Sequence, residues 1–260
     1  MNELTHGTGA ANGLSGRTSI VVGASRGLGR GVANALAEAG ASVIAVARTP
    51  VPATGGANGT GTIQAVVADA GDPASAGDLL GRYEPDTVVL VAGARPHTRR
   101  LQDQTWETFS VNWETDVRIA FLWLREALSK PLRPGSRVVV FSSGAAVMGS
   151  PLSGGYAGAK ATQRFLTTYA QDEARRADLD LTFTAVLPRL TPHTDLGRPA
   201  VEAYAARNGQ SVEDYVRAMG EPLTPEAAGA AVVELTRADA ATIAPSYLLT
   251  GSGLQQLDRP

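Results

Sequence analysis

The sequence predicts a doubly wound α/β domain built on a parallel sheet, and three observations carry that expectation. Short runs rich in β-branched residues alternate with longer helical patterns from about residue 17 onward. Those runs are apolar throughout rather than at every second position, as strands are when helices cover both faces of their sheet. The first run closes in a glycine-rich turn, GASRGLGRG, directly ahead of a helical pattern. That is the arrangement of a nucleotide-binding βα unit.

Taken in order, strands are expected at Ser19–Gly23, Ser42–Ala47, Ile63–Ala68, Thr87–Val91, Arg137–Phe141, Leu181–Val186 and Ser246–Leu249. Helices are expected at about 28–39, 74–82, 103–130, 156–177 and 224–237. No linker or composition break divides residues 17–260, which read as a single domain. Residues 1–16, rich in Gly, Asn, Thr and Ala, read as a disordered leader with neither the basic start nor the apolar segment of a signal peptide. Two stretches interrupt the alternation. PVPATGGANGTG (50–61) reads as a loop, and 189–222, punctuated by Pro192, Pro199, Gly209 and Pro222, reads as a partly helical excursion of the kind that forms substrate lids.

Composition narrows the function classes. The 260 residues carry 23 Lys+Arg against 25 Asp+Glu, and no long basic run gives a footprint for nucleic acid or an anionic membrane. The longest apolar runs are strand-sized, far short of a membrane span. Without cysteine the chain has no disulfides, no thiolate catalysis and no Cys-ligated metal, which suits a cytoplasmic protein. His6, His97 and His193 are far apart with no metal-ligand spacing; His97 and His193 are pocket candidates, with a surface histidine as the plain alternative.

Gly23, Gly27 and Gly29 form G-x-x-x-G-x-G where the first strand meets the first helix. Glycines there let the backbone approach a pyrophosphate, and the helix supplies free N–H groups and the positive end of its dipole. Further along, GYAGAKATQ (154–162) places Tyr156 and Lys160 four residues apart on one helical face, with only small residues between them. By itself that pattern also fits an ordinary helix with a half-buried tyrosine and a solvated lysine.

Together these features resemble the short-chain dehydrogenase/reductase family, over nearly the whole chain from Ser15 to Leu257. The family shares the G-x-x-x-G-x-G turn and a Tyr-x-x-x-Lys motif with a serine thirteen residues before the tyrosine; here that serine is Ser143, in VVVFSSGAA. Ser142, its neighbour, has the wrong parity, because adjacent strand residues point to opposite faces. The resemblance implies a Rossmann-like fold and hydride transfer between a nicotinamide cofactor and a carbonyl or alcohol. Tyr156 would be the general acid or base, Lys160 would favour its phenolate and hold the nicotinamide ribose, and Ser143 would hydrogen-bond the substrate oxygen. A dimer or tetramer formed through the helices at 103–130 and 156–177 is implied as well.

The chain departs from the family pattern at three places. LVAGA, with Val91, stands where the family has Asn-Asn-Ala-Gly, though Ala92 and Gly93 are kept; Pro188-Arg189 stands where it has Pro-Gly. The fourth catalytic position, an asparagine that supports a relay water in the family, aligns with Asp116 in DVRIAFLWLREAL, while Asn112 lies one turn earlier as the alternative. The cofactor cradle is expected from Ser25, Arg26 and Leu28 within the glycine turn, from Asp69 and Ala70 after the third strand, and from Ala92, Gly93 and Pro188. The second strand ends in Ala47-Arg48 with no acid to bind a ribose diol, so Arg48 and Arg26 favour NADP(H) over NAD(H) through charge-assisted contacts to a 2′-phosphate. The expected activity is an NADPH-dependent reductase of ketones or aldehydes, with imines as a substrate variant. A cyclase, an isomerase or a nucleotide-sensing regulator on the same fold is the alternative.

Overall fold

All seven expected strands form, within a residue or two of their expected limits, and they line up in parallel. The computed structural model describes residues 13–52, 54–55, 61–130, 132–192, 194 and 197–257. Half of the 50–61 loop, most of the 1–16 leader, His6 and His193 lie outside the described residues. The strands are β1 (Thr18–Val22), β2 (Ser42–Ala47), β3 (Thr54–Gly55), β4 (Thr62–Val67), β5 (Thr87–Leu90), β6 (Ser136–Phe141), β7 (Leu181–Pro188), β8 (Ser246–Thr250) and β9 (Gly253–Leu257). Their order across the sheet is β3-β4-β2-β1-β5-β6-β7-β8-β9. The two edge strands, β3 and β9, pair antiparallel with their neighbours and have no counterpart in the sequence reading. β9, GLQQL, lacks a β-branched run, and it is fixed instead by a two-residue turn back onto β8.

Helices cover both faces. Alternate residues of one strand enter different cores: Val21, Val43 and Val89 pack beneath α1 (Gly27–Glu38) and α9 (Pro225–Arg237). Ile20, Ile44 and Val88 pack beneath α2 (Pro73–Tyr83), α4 (Arg118–Ser129) and α6 (Gly154–Arg176). This explains the uniformly apolar strands. α1 and α9 approach so closely that a Cβ on Gly31 would stand 2.1 Å from the Pro225 carbonyl. Within the stretch read as a leader, Leu14 is buried in the first core and its N–H donates to Ala39 O at 2.7 Å.

The helix expected at 103–130 is not continuous, which corrects the sequence reading. A 3-10 turn at Leu101–Asp103 precedes α3 (Trp106–Asn112), a π-helical segment follows at Trp113–Val117, and α4 begins at Arg118. The wider turn of the π segment shifts which residues of this stretch face the core. Trp113 and Phe121 face outward, whereas Leu124 joins Ile119, Leu122 and Trp123 in the core. Between them α5 (Ala145–Met148) follows β6, and the 189–222 excursion folds into α7 (Gly197–Asn208) and α8 (Val212–Ala218).

Candidate active site

Parallel strands put all their carboxyl ends on one edge of the sheet, and the expected site residues collect there. β1 ends at the glycine turn, β2 at Arg48, β4 at Asp69, β5 at Ala92 and Gly93, β6 at Ser142 and Ser143, and β7 at Pro188. Register keeps these ends level: Val22 lies beside Val46 and Leu90, Ala47 beside Val67, and Leu90 beside Val140.

The glycine turn is shaped by close backbone contacts. Gly23 has φ +93°, and a Cβ there would meet Ala92 N at 2.6 Å; a Cβ on Gly29 would meet Gly23 O at 2.2 Å. Gly27, with φ +53°, faces open space. α1 begins at that residue with no side-chain cap, since its N-cap is Arg26, which carries no acceptor. N–H groups without a side-chain cap, a positive helix end and open space at Gly27 suit a pyrophosphate. Ser25, Arg26 and Arg48 are exposed around that cradle, and Leu28 packs against the α1 core. Asp69 is exposed and uses its carboxylate to accept from Gly71 N at 2.9 Å, while Trp123 Nε1 donates to Ala70 O at 3.1 Å and fixes the turn that carries both.

Lys160 is the centre of the second half of the site. α6 packs on the end of β6, where Ser142 Oγ donates to Lys160 O at 2.7 Å and Lys160 Nζ donates to Phe141 O at 3.2 Å. Ser142 therefore pins the helix to the strand, and Ser143, half-buried, accepts from Ala145 N at 3.2 Å. The Lys160 amine lies 5.5 Å from the centre of the half-buried Tyr156 ring. It also lies 3.1 Å from Asp116 Oδ2, an ion pair between two buried side chains that is not aligned as a hydrogen bond. Burial works against the ammonium. The Asp116 carboxylate, joined by Tyr156, outweighs that cost and holds the Lys160 amine above its ordinary value.

Asp116 rather than Asn112 meets the lysine. Its other oxygen accepts from Ala94 N at 2.7 Å and from Asn112 Nδ2 at 3.3 Å, so the carboxylate braces the turn after β5 that lacks the family's asparagine. A Cβ on Gly93 would stand 2.6 Å from Asp116 Oδ2, so glycine alone leaves room for the carboxylate there. Asn112 donates to Ala94 O at 2.8 Å, a supporting contact one turn away.

The family model of short chain dehydrogenases matches residues 17–205. The chain belongs to that family. As a short-chain dehydrogenase it is 34% identical, over 67% of its length and 70% of the other's, to versicolorin reductase 1 of Aspergillus parasiticus. It is 32% identical, over 71% and 77% of the two lengths, to the 3-oxoacyl-[acyl-carrier-protein] reductase of Escherichia coli. A solved 3-oxoacyl (acyl-carrier-protein) reductase from Agrobacterium tumefaciens C58 with NADP bound superposes with a TM-score of 0.74 at 27% identity, covering 92% of this chain and 95% of that one.

Some contacts around the site had no signal strong enough to be read from the sequence. Gln163, 1% exposed, bonds to both Lys160 and Asp116; its signal was a polar residue three positions after the lysine on a helix face made mostly of small residues. Tyr204 of α7 contacts Ser150 Oγ through its hydroxyl and reaches Ser153 Oγ at 3.4 Å, tying the excursion to the start of α6. The Tyr204 ring stacks on Tyr215 of α8 at 6.4 Å. Arg189 is exposed, and its charge reaches Tyr215 against the raising effects of burial and Tyr204 on that phenol. His97 is exposed, its carbonyl accepting from Gln104. Among the described residues no helix is long and apolar enough to cross a membrane.

Proposed function

We propose that this short-chain dehydrogenase reduces a ketone or aldehyde with NADPH, or oxidises the corresponding alcohol in reverse. The observation that carries the reading is the buried Lys160–Asp116 pair set behind Tyr156 at the carboxyl edge of the sheet. A charged ammonium inside the protein costs stability unless it is paired, and buried charge pairs of this kind cluster at functional sites. Here it faces the phenol that would exchange a proton with the substrate oxygen.

The nicotinamide, when bound, supplies the hydride. The chain's own residues bind, orient and move protons. Gly23, Gly27 and Gly29 with the α1 N-terminus hold the pyrophosphate, and Ala92, Gly93 and Pro188 line the approach to the nicotinamide end. Arg26 and Arg48, exposed beside the cradle with no acid at the end of β2, select the 2′-phosphate of NADP(H). NADP bound to the Agrobacterium reductase supports that choice. Asp69 and Ala70 face the adenine end. Ser143 donates to the substrate oxygen, Tyr156 gives that oxygen its proton as charge develops, and Lys160 holds the ribose and stabilises the phenolate left behind.

A panel of ketones, aldehydes and imines, followed by NADPH consumption, tests the reading. Turnover of a carbonyl compound with a preference for NADPH over NADH is expected. NADPH binding without turnover on any member would favour a sensing or non-redox role.

A further inference from the structure

We propose that Gln163 is a positioning residue for Lys160, its amide tying the lysine amine to the main-chain carbonyl of Asp116 and so fixing ammonium and carboxylate relative to one another. The inference rests on Lys160 being the residue that holds the nicotinamide ribose. Gln163 lies on the buried stripe of α6, one turn after the lysine, and is 1% exposed. Its Oε1 accepts from Lys160 Nζ at 2.8 Å, and its Nε2 donates to Asp116 O at 2.9 Å. The chemistry fixes the orientation of the amide: an ammonium only donates and a carbonyl only accepts, so an oxygen must face one and an NH2 the other. Glutamate would set two oxygens against each other at the Asp116 end, and an apolar residue would leave both neighbours short of a partner.

The bond does more than fill space. Asp116 sits in the π segment, where the helical hydrogen-bond pattern widens, and its main-chain carbonyl accepts from Gln163 Nε2. The two side-chain charges meet at 3.1 Å without hydrogen-bond alignment, so their attraction sets no direction by itself. Direction comes from the neutral groups: Phe141 O holds the lysine from β6 and Gln163 Oε1 holds it from α6. The titratable groups facing the amine are Asp116 from the π segment and Tyr156 from its own helix. Phe141 O, Gln163 Oε1 and the Asp116 carboxylate thus surround the amine on three sides and fix its position.

The test compares wild type with Gln163→Met, which keeps volume and loses both bonds, and with Gln163→Asn, which withdraws the amide by one methylene should the first variant fail to fold. Thr167→Val is the control. Thr167 is buried one turn further along, and its hydroxyl donates to the Gln163 carbonyl at 2.8 Å. For Gln163→Met or Gln163→Asn, NADPH affinity measured by cofactor fluorescence is expected to fall about five- to tenfold, the scale of one ordinary net hydrogen bond, because the loss reaches the cofactor only through Lys160. Turnover is expected to fall by about tenfold while substrate KM moves less than about threefold. The loss of thermal midpoint relative to wild type should be full near neutral pH and shrink above about pH 10.5, where lysines lose their proton. Thr167→Val should leave NADPH affinity unchanged and show a deficit independent of pH. A Gln163 variant with wild-type NADPH affinity and a pH-independent deficit overturns the proposal. Wild type failing to bind NADPH would instead sink the functional reading, and the pH dependence would still judge the contact between Gln163 and Lys160.

Discussion

The amine of Lys160 and the carboxylate of Asp116 meet at 3.1 Å with both side chains almost wholly removed from solvent. Two charges in that setting stabilise the fold only while both are present and bonded on their remaining sides. Asp116 satisfies this through Ala94 N and Asn112, and Lys160 through Phe141 O and Gln163. Removing the carboxylate strands the ammonium. Asp116→Ala is expected to lose about 3–5 kcal/mol, read as a fall in thermal midpoint of roughly 6–20 °C for a domain of this size. Asp116→Asn, which keeps an acceptor for Ala94 N, should lose less than half as much. An Ala variant melting with the wild type would show that the pair does not hold the site together.

The same pair fixes a pH dependence. The folded Lys160 amine lies above its reference value of 10.5, burial being outweighed by Asp116 and Tyr156. Its contribution to stability is therefore complete below that reference and is lost as pH rises through the higher folded value. The stability difference between wild type and Asp116→Ala should be constant from neutral to about pH 10 and narrow above it. Denaturant melts at several pH values measure it, and a difference that widens in alkali would contradict the sign.

Tyr156→Phe removes only a hydroxyl. Turnover on a confirmed carbonyl substrate should fall by at least about a hundredfold, the scale of general acid catalysis, with thermal midpoint and NADPH affinity close to wild type. Near-normal turnover would assign the proton to another group.

Arg48→Ala and Arg26→Ala should each raise KM for NADPH by roughly ten- to a hundredfold, the loss of about 1.5–3 kcal/mol from one charge-assisted phosphate contact. KM for NADH should barely move. Equal effects on both cofactors would mean that the arginines do not read the 2′-phosphate.

Assembly should follow from the outward faces of the central helices. Trp106 is 69% exposed, Phe121 48%, Phe165 58% and Tyr169 53%, all on α3, α4 or α6. Large aromatics gathered on adjoining helices call for a partner surface, and a second copy of the chain related by a two-fold axis supplies one. Light scattering should give a mass at least twice the 26.9 kDa of one chain. Phe121→Glu combined with Phe165→Glu should dissociate it, and a monomeric wild type across a wide dilution series would refute the assembly.

What the sequence determined by itself was whatever is written in local periodicity. Seven apolar runs specify parallel strands because a strand covered on both faces must be apolar on both sides. The glycine turn announces a backbone that L side chains cannot follow, as Gly23 at φ +93° shows. The spacing of Tyr156 and Lys160 specifies a shared helix face, and the resemblance to the family favours Asp116 over Asn112 for the fourth catalytic position, while only the structure sets Asp116 against the lysine. Tertiary structure decided the rest. The π segment at Trp113–Val117 changes which aromatic residues of that helical stretch are buried, and nothing in its helical pattern marks the wider turn. The β9 edge exists because β8 lies beside it. Gln163 reaches the Asp116 carbonyl across 47 residues, and Tyr204 reaches Ser150 across 54. Such contacts join groups that no local rule couples: a buried donor takes whichever acceptor the packed chain sets before it, and that acceptor is known only once the sheet has brought the two segments together.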